Sequence, residues 1–421
     1  MSVERRGIFL FLIILMSALG LVASDICLPA LPEMAIYFDC TQTEIQMSFS
    51  VFLLTLGICQ LIYGTLADKF GRKKILVIGF SLFSVASLLC AFSTTLSEFI
   101  FCRALQAVGA SVGSVLSRAI VADRFNRLEA VKVYTTTYPI VGLSPAIAPF
   151  VGGYLTYFFD WRATFCFMAL FGILAVMLVM IFLVDKSKPL PDILLDVKET
   201  AAGANFSREL DSFNSSPKTF LENCTEIFRN MEFLGYAFIV CAGYAVFRCY
   251  TTESPFVFNK QGFVAEEIGY FYITLSMAYV CGNLAAKKLV TKLSIDKVLS
   301  IGMFFFVFGG LCLLTMALLY PENPLAIIIP MSFVVIGNGF LFPVGSAAAM
   351  SSVPMNFSGT ASGLLGALQL ILAALCVNWI GEMCGGQAFP MALYLISIIM
   401  FGLFSYLVVV LGSKIRYGLT R

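Results

Sequence analysis

Long apolar stretches separated by short polar turns dominate the pattern of this 421-residue chain. Most have about the 20 residues that a helix needs to cross a bilayer, with little of the alternation of a half-buried strand. Backbone groups in hydrocarbon must be hydrogen-bonded within their own segment, so these stretches are predicted to be helices. They fall near residues 7–31, 44–66, 75–93, 97–121, 131–158, 162–184, 231–252, 264–290, 296–319, 325–350, 358–381 and 388–412.

One polar segment divides these stretches into two sets of six. The pattern predicts an N-terminal six-helix bundle at 1–184, a linker at 185–230 and a C-terminal six-helix bundle at 231–421. A weak internal repeat supports this division, because Gly282-Asn-Leu-Ala-Ala-Lys287 resembles Gly64-Thr-Leu-Ala-Asp-Lys69. Duplicated halves are a known transporter architecture. The predicted fold class is an all-α membrane protein with twelve transmembrane helices.

The basic residues predict the orientation of the chain. The loops on one side carry most of them, whereas the opposite loops carry only Arg162 and Lys260. Cytoplasmic loops are enriched in lysine and arginine. Both termini and the linker are therefore predicted to be cytoplasmic.

The composition agrees with a membrane protein and excludes several kinds of chemistry. The chain is 59% hydrophobic and 12% charged, against about a quarter charged in soluble domains. The absence of histidine excludes an imidazole relay or a histidine metal site. The 13 cysteines include no C-x-x-C pair and mostly lie in apolar stretches. No Walker loop, metal-ligand cluster or nucleophile–base set is evident, so neither an enzyme nor a metal cofactor is predicted. The net charge of +2 gives no indication of nucleic-acid binding.

Four stretches of the sequence combine charged residues, glycines and prolines at characteristic spacings. They are Ser24-Asp25-Ile-Cys-Leu28-Pro29-Ala-Leu-Pro32, Gly64-x-x-x-Asp68-Lys69-x-Gly71-Arg72-Lys73-Lys74, Arg103-Ala-Leu-Gln106-Ala-Val-Gly109-Ala and Gly142-x-x-Pro145-x-x-x-Pro149-x-x-Gly152-Gly153. Together they resemble signatures of the major facilitator superfamily, and in particular of its twelve-span drug:proton antiporters of the bicyclomycin-resistance (Bcr/CflA) type. The resemblance covers nearly the whole chain and implies the twelve-helix fold. The chain departs from that branch in its longer linker and in Cys27, which stands where an aromatic residue is frequent.

A charged turn between the second and third stretches is predicted to be a gating loop. It comprises Gly64, Asp68, Lys69, Gly71, Arg72 and Lys73. The glycines allow a tight turn and close approach of helices. The basic side chains could pair with Asp68 or with a carboxylate of a neighbouring helix, and so hold two helix ends together in one transport state. The alternative is that these charges only set the topology beside anionic lipid.

Asp25 and Arg103 are the predicted proton-coupling residues. Asp25 lies in the outer half of the first stretch, where a charge is costly and usually functional. Burial disfavours the charged form of a carboxyl group, so such a group can take up and lose a proton. A guanidinium remains charged when it is buried, and the resemblance implies that Arg103 assists the coupling. The alternatives are an interfacial aspartate that caps the helix end at Pro29 and an arginine that snorkels to the interface.

The fifth stretch is predicted to be a bent antiporter helix. Its residues are Gly142, Pro145, Pro149, Gly152 and Gly153. Proline removes helix hydrogen bonds and glycine permits close approach of a partner helix. The helix is expected to act as a seal associated with export, and packing alone is the alternative.

A substrate cavity is predicted with less specific residues, namely Tyr134, Tyr138, Tyr244, Arg248 and Gln369. Aromatic walls with few polar groups suit amphipathic small molecules. Arg248 lies in the seventh stretch, which corresponds to the first in the other half. One hypothesis is that it meets Asp25 or an anionic substrate group. The alternative, which the pattern favours, is an interfacial pair with Glu253.

These features together predict a proton-coupled exporter of drug-like molecules in the bacterial inner membrane. Its expected partners are a small-molecule substrate, protons and the lipid bilayer. It is expected to work as a monomer and, with a proton gradient as its energy source, without a cofactor. The alternatives are an exporter of one endogenous metabolite such as an anionic siderophore, a proton-linked uptake transporter and a membrane sensor that transports nothing.

Overall fold

The structure, a computed structural model, describes residues 3–124, 133, 144–183, 220–354 and 358–418. The regular elements among these residues are helices, and a short 3₁₀ turn at Leu28–Ala30 joins the first two of them. The helices are α1 (Val3–Asp25), α2 (Leu31–Tyr37), α3 (Gln42–Phe70), α4 (Arg72–Phe92), α5 (Leu96–Arg124), α6 (Ser144–Phe158), α7 (Trp161–Phe182), α8 (Phe220–Phe228), α9 (Met231–Lys260), α10 (Ala265–Val290), α11 (Ile295–Leu319), α12 (Leu325–Ser351), α13 (Ser358–Cys384) and α14 (Ala388–Gly418).

Within the described part of the chain, 11 helical segments are long and apolar enough to cross a membrane. One of them runs from Phe9 to Tyr37 and so joins α1, the 3₁₀ turn and α2. The described part of α6 has only 15 residues, because 12 residues of the predicted stretch 131–158 lie outside the described residues. The all-helical fold class is thus confirmed. The count of twelve, the side of the termini and the division at 185–230 stay predictions.

Several helices extend beyond the apolar stretches from which they were predicted. Helix α9 continues to Lys260, eight residues past the expected end at 252. Helix α3 begins at Gln42, where Thr41 and Glu44 form a capping box: the Thr41 amide donates to Glu44 at 2.8 Å and the Glu44 amide donates to Thr41 at 3.3 Å. Polar residues such as Thr41 and Glu44 can therefore lie at the ends of membrane helices, because their side chains bond the backbone N–H groups that the first turn leaves free.

The exposed faces of the helices are strongly apolar. Large side chains such as Phe92, Phe101, Ile181 and Phe404 are more than half exposed. Extensive exposed apolar surface is unusual in a soluble monomer, and a bilayer is the solvent that accommodates it. These faces therefore fit contact with lipid.

The most extensive contacts between the predicted halves are those of α3 with α13 and of α6 with α10. Helix α3 contacts α13 along much of its length, from Gln46 beside Gly381 to Gln60 beside Gly366. We call the end of the protein at which α3 begins and α9 ends the outer end, following the predicted orientation. The candidate site lies between the halves, toward this end.

Candidate functional site

Asp25 is the last residue of α1 and is enclosed by protein. Its side chain is 1% exposed, and α1 ends there because the chain turns into the 3₁₀ segment that carries Pro29. The Ser24 hydroxyl donates a hydrogen bond of 2.7 Å to Oδ1 of Asp25. The other oxygen, Oδ2, is buried without a hydrogen-bond partner among the described residues. The side chain thus lies inside the protein and not at a solvent interface, unlike the capping alternative.

Arg248 of α9 neutralises Asp25 from the opposite half. Its guanidinium forms an ion pair and hydrogen bond with Oδ1 of Asp25, and its side chain is also 1% exposed. Nε of Arg248 donates a 3.0 Å hydrogen bond to the hydroxyl of Tyr244, one turn earlier in the same helix. The guanidinium carbon lies 5.0 Å from the ring centroid of Tyr244 and 5.9 Å from that of Phe49. Arg248 therefore contacts Asp25, and not Glu253 as in the alternative.

This ion pair joins the two predicted halves at a position that is buried from solvent. Burying either charge alone would be very costly, whereas a hydrogen-bonded pair is tolerated. The pair depends on an ionised carboxylate, because a protonated Asp25 carries no charge to offset that of Arg248. Proton uptake at Asp25 would therefore remove the attraction between α1 and α9.

Arg103 of α5 lies close to the same end of α1 but does not bind the carboxylate. Its NH1 donates to the carbonyl of Ala23 at 3.2 Å and to Oε1 of Gln106 at 2.6 Å. The guanidinium carbon lies 4.2 Å from the ring centroid of Phe52, a cation–π distance. Arg103 is 1% exposed, and its Nε and NH2 have no hydrogen-bond partner among the described residues. It is thus a buried cation that supports the helix end carrying Asp25, and not a snorkelling residue.

The predicted gating loop forms the tight link between α3 and α4. Gly71 has φ +88°, which favours glycine, and its amide closes α3 on the carbonyl of Ala67 at 3.0 Å. Lys73 donates to the carbonyl of Met180 at the end of α7, at 2.9 Å. It thus binds a helix C-terminus, which favours cations.

The remaining residues of this loop are placed only in part. Lys69 lies 5.5 Å from the ring centroid of Phe70, and Arg72 begins α4. Gly64 and Asp68 belong to α3, and the side chain of Asp68 lies outside the described part of the structure. The latch role of the loop stays a prediction.

Helix α6 is the described part of the predicted antiporter helix, and two glycines let it pack closely against the end of α1 and against the other predicted half. A Cβ on Gly152 would overlap the carbonyl oxygen of Ile26, directly after Asp25. A Cβ on Gly153 would lie 2.6 Å from the carbonyl oxygen of Ala265, at the start of α10 in the other half. Pro149 lies inside α6. Gly142 and the side chain of Pro145 lie outside the described residues.

The predicted cavity residues are only partly brought together. Tyr244 and Arg248 contact each other beside Asp25. Gln369 of α13 is 9% exposed. Tyr134 and Tyr138 lie outside the described residues.

One polar cluster was missed by sequence reasoning, which considered Glu253 only as a partner for Arg248. Glu253 of α9 accepts hydrogen bonds from Gln42 and Gln46 of α3 and from the amide of Gly386. The spacing of Gln42 and Gln46, one helical turn apart at the start of an apolar stretch, is the signal that could have revealed it.

A stability measurement tests the ion pair. Arg248→Gln leaves the Asp25 carboxylate buried without its partner, which should lower the free energy of unfolding by about 3–5 kcal/mol. The double variant Asp25→Asn/Arg248→Gln buries no charge at this point, so it should recover much of that loss. Thermal melting of the purified variants in detergent provides the comparison, and strictly additive losses would show that the two side chains are not coupled.

Comparison with known proteins agrees with this architecture. A sequence description of the Major Facilitator Superfamily matches residues 10–377. The uncharacterized MFS-type transporter YdgK of Bacillus subtilis (strain 168) is 29% identical over 99% of this chain and 96% of its own length. The bicyclomycin resistance protein homolog of Haemophilus influenzae is 25% identical over 92% of this chain and 93% of its own. Multidrug resistance protein D of Escherichia coli (strain K12) is 24% identical over 88% of both chains.

A solved structure supports the fold independently. The crystal structure of a D-xylose-proton symporter matches with a TM-score of 0.71 at 14% identity, over 94% of this chain and 97% of that chain. A similarity at such low sequence identity supports the fold and says nothing about the substrate. Because the family match spans most of the sequence, this chain belongs to the major facilitator superfamily and is a multi-pass transport protein of the bacterial inner membrane, not an enzyme.

Proposed function

We propose that this protein exports small drug-like organic molecules in exchange for protons, by alternating access and as a monomer. The observation that carries the proposal is the buried pair of Asp25 and Arg248, which joins α1 to α9 across the two halves. The names of two relatives, for resistance to bicyclomycin and to multiple drugs, support the direction of transport. A titratable carboxylate in such a place usually serves transport.

The pair gives each transport state a distinct chemistry. With the outer end closed and Asp25 ionised, Arg248 holds α1 and α9 together. A substrate that enters from the cytoplasm has to separate the two side chains, so that the halves can rock and open outward. At the outer side a proton neutralises Asp25 as the substrate leaves, and the protonated protein returns. Loss of that proton to the cytoplasm restores the ion pair.

Aromatic rings around the pair suit a substrate with apolar surface. Phe49, Tyr244 and Phe247 all lie within 6 Å of the Arg248 guanidinium, measured to their ring centroids. Small-molecule sites commonly combine such apolar walls with a few placed polar groups. We therefore expect amphipathic molecules that offer hydrogen-bond donors to Asp25.

Transport into inverted membrane vesicles tests the function. The vesicle lumen corresponds to the outside of the cell, so an acidic lumen should drive substrate inward while protons leave. A panel of labelled drugs and siderophores is offered with the gradient imposed and again after an ionophore collapses it. Gradient-dependent accumulation supports export. Substrate that leaves the lumen together with protons indicates an uptake transporter. If no compound of the panel is transported under either condition, the membrane-sensor alternative is favoured.

Export of an anionic metabolite is a second candidate, which the buried guanidinium of Arg248 favours. An anionic group could replace the Asp25 carboxylate as the partner of that cation. Arg248→Gln should then abolish transport of anionic compounds while uncharged compounds are still moved. If all compounds in the panel retain their transport in this variant, Arg248 has no role in substrate binding.

A further inference from the structure

Glu253 is a second buried carboxylate between the halves, at the outer end and apart from the Asp25–Arg248 pair. Its side chain belongs to α9, and the residue is 0% exposed. Oε2 accepts hydrogen bonds from Nε2 of Gln42 at 2.6 Å and from Nε2 of Gln46 at 2.8 Å. Oε1 accepts a hydrogen bond of 2.8 Å from the backbone amide of Gly386. Both carboxyl oxygens therefore accept hydrogen bonds, but from donors in different parts of the chain.

The two oxygens of this carboxylate face different halves of the protein. Gly386 lies in the turn between α13 and α14, which belongs to the same predicted half as α9. Its φ of +67° and the φ of +55° at Gly385 let that turn present an amide to Glu253. Lys260, at the end of α9, holds the same turn through a 2.5 Å hydrogen bond to the carbonyl of Gly385. One side of the carboxylate is thus anchored within its own half.

The other side can be broken by motion of the halves. Gln42 and Gln46 lie in the first turns of α3, in the N-terminal half, and Gln46 also donates to the carbonyl of Thr252 at 3.3 Å. All three hydrogen bonds to Glu253 come from N–H donors, which fits an ionised carboxylate, because a protonated one would direct an O–H at a donor. Hydrogen bonds to an ionised acceptor are stronger than those between neutral groups.

We propose that Glu253 is a positioning residue that holds the outer end closed, through an outer latch formed by Gln42, Gln46, Glu253 and Gly386. The proposal rests on the alternating access proposed above. When the outer end opens, Oε2 exchanges the amides of Gln42 and Gln46 for external water, while Oε1 keeps the amide of Gly386. A buried carboxylate without partners is strongly disfavoured, so a partly opened latch is unfavourable and the outer end opens or closes as a unit.

Hydrogen–deuterium exchange with mass spectrometry on the purified full-length protein tests the latch without any substrate. In Glu253→Gln, the side-chain NH2 group replaces one acceptor oxygen and faces an N–H donor of Gln42, Gln46 or Gly386. At least one of the hydrogen bonds to residue 253 is therefore lost. We expect faster exchange at the start of α3, the end of α9 and the 385–387 turn. We also expect slower exchange where α3 and α12 end, on the side away from the outer end, because the protein shifts toward an outward-open state.

Two further variants complete the design. Gln42→Ala/Gln46→Ala should cause the same shift with Glu253 intact, which covers the case in which Glu253→Gln fails to fold. Glu98→Gln is the matched control, because Glu98 is exposed and, among the described residues, its hydrogen bonds are to the nearby Thr94 and Thr95, at 3.1–3.3 Å. It should leave the exchange pattern unchanged.

Two results would overturn the latch: unchanged exchange at the outer end, or an increase of equal size at both ends, which indicates general loosening. Exchange does not depend on transport. If the outer end loosens as expected while vesicles move no compound, the proposed export activity fails and the latch stands. If vesicles transport normally and exchange does not shift, the latch alone is wrong.

Discussion

Inverted vesicles that carry the Asp25→Asn protein are expected to accumulate no substrate in response to an acidic lumen. Asparagine resembles the protonated aspartate in shape and charge but cannot release a proton. It also cannot form the ion pair with Arg248 that joins α1 and α9 in this structure. The coupled rate should therefore fall to that of vesicles without the protein.

Two variants separate this effect from misfolding. Asp39→Asn makes the same replacement at an exposed position of the same end of the protein, and its transport should match that of the intact protein. Asp25→Glu keeps a titratable carboxyl group and should retain part of the coupled transport. The amount of folded protein is measured for each variant by gel filtration. Gradient-driven accumulation by Asp25→Asn at the rate of the intact protein would assign proton coupling to another residue.

Replacement of Gly152 by alanine is expected to have the largest effect on folding. The added Cβ would lie well inside contact distance of the carbonyl oxygen of Ile26. The clash is with backbone, which no side-chain rotation can relieve, so α6 has to move away from the end of α1. We expect the free energy of unfolding to fall by about 3 kcal/mol, toward the upper end of the usual range for overpacked interiors.

Thermal melting of the purified protein in detergent measures this loss, with Gly363→Ala as the matched control. A Cβ on Gly363 of α13 meets no atom within 4 Å. Alanine is the better helix former by about 1 kcal/mol, so this control should be unchanged or slightly stabilised. A Gly152→Ala protein that melts at the temperature of the intact protein would show that α6 does not pack so closely on α1.

The helices could be predicted from the sequence because hydrocarbon permits few alternatives to a helix. Their ends were less predictable, and α9 shows why. Its last turns contain Thr252, Glu253 and Pro255, which an apolar pattern cannot assign to a span. They stay helical and buried because Gln42 and Gln46, which lie more than 200 residues earlier in the chain, donate hydrogen bonds to the Glu253 carboxyl group.

The residues of the site could be predicted from the sequence, whereas the contacts between them mostly could not. Asp25, Arg103 and Arg248 stand out because a charge within an apolar stretch is rare. The sequence gives the depth of each in the membrane but not the direction in which its helix faces, so the partner of Arg248 stayed open between Asp25 and Glu253. The same limit applies to Lys73, whose bond to the carbonyl of Met180 depends on where α7 ends.

In the proposed mechanism, substrate and proton compete for Asp25. This competition can be measured by adding a compound identified in the vesicle panel to the purified protein in weakly buffered solution and recording the protons released on binding. We expect substrate binding to release protons from the intact protein and none from Asp25→Asn. Substrate binding to the intact protein without proton release at any pH, or equal release from both proteins, would contradict it.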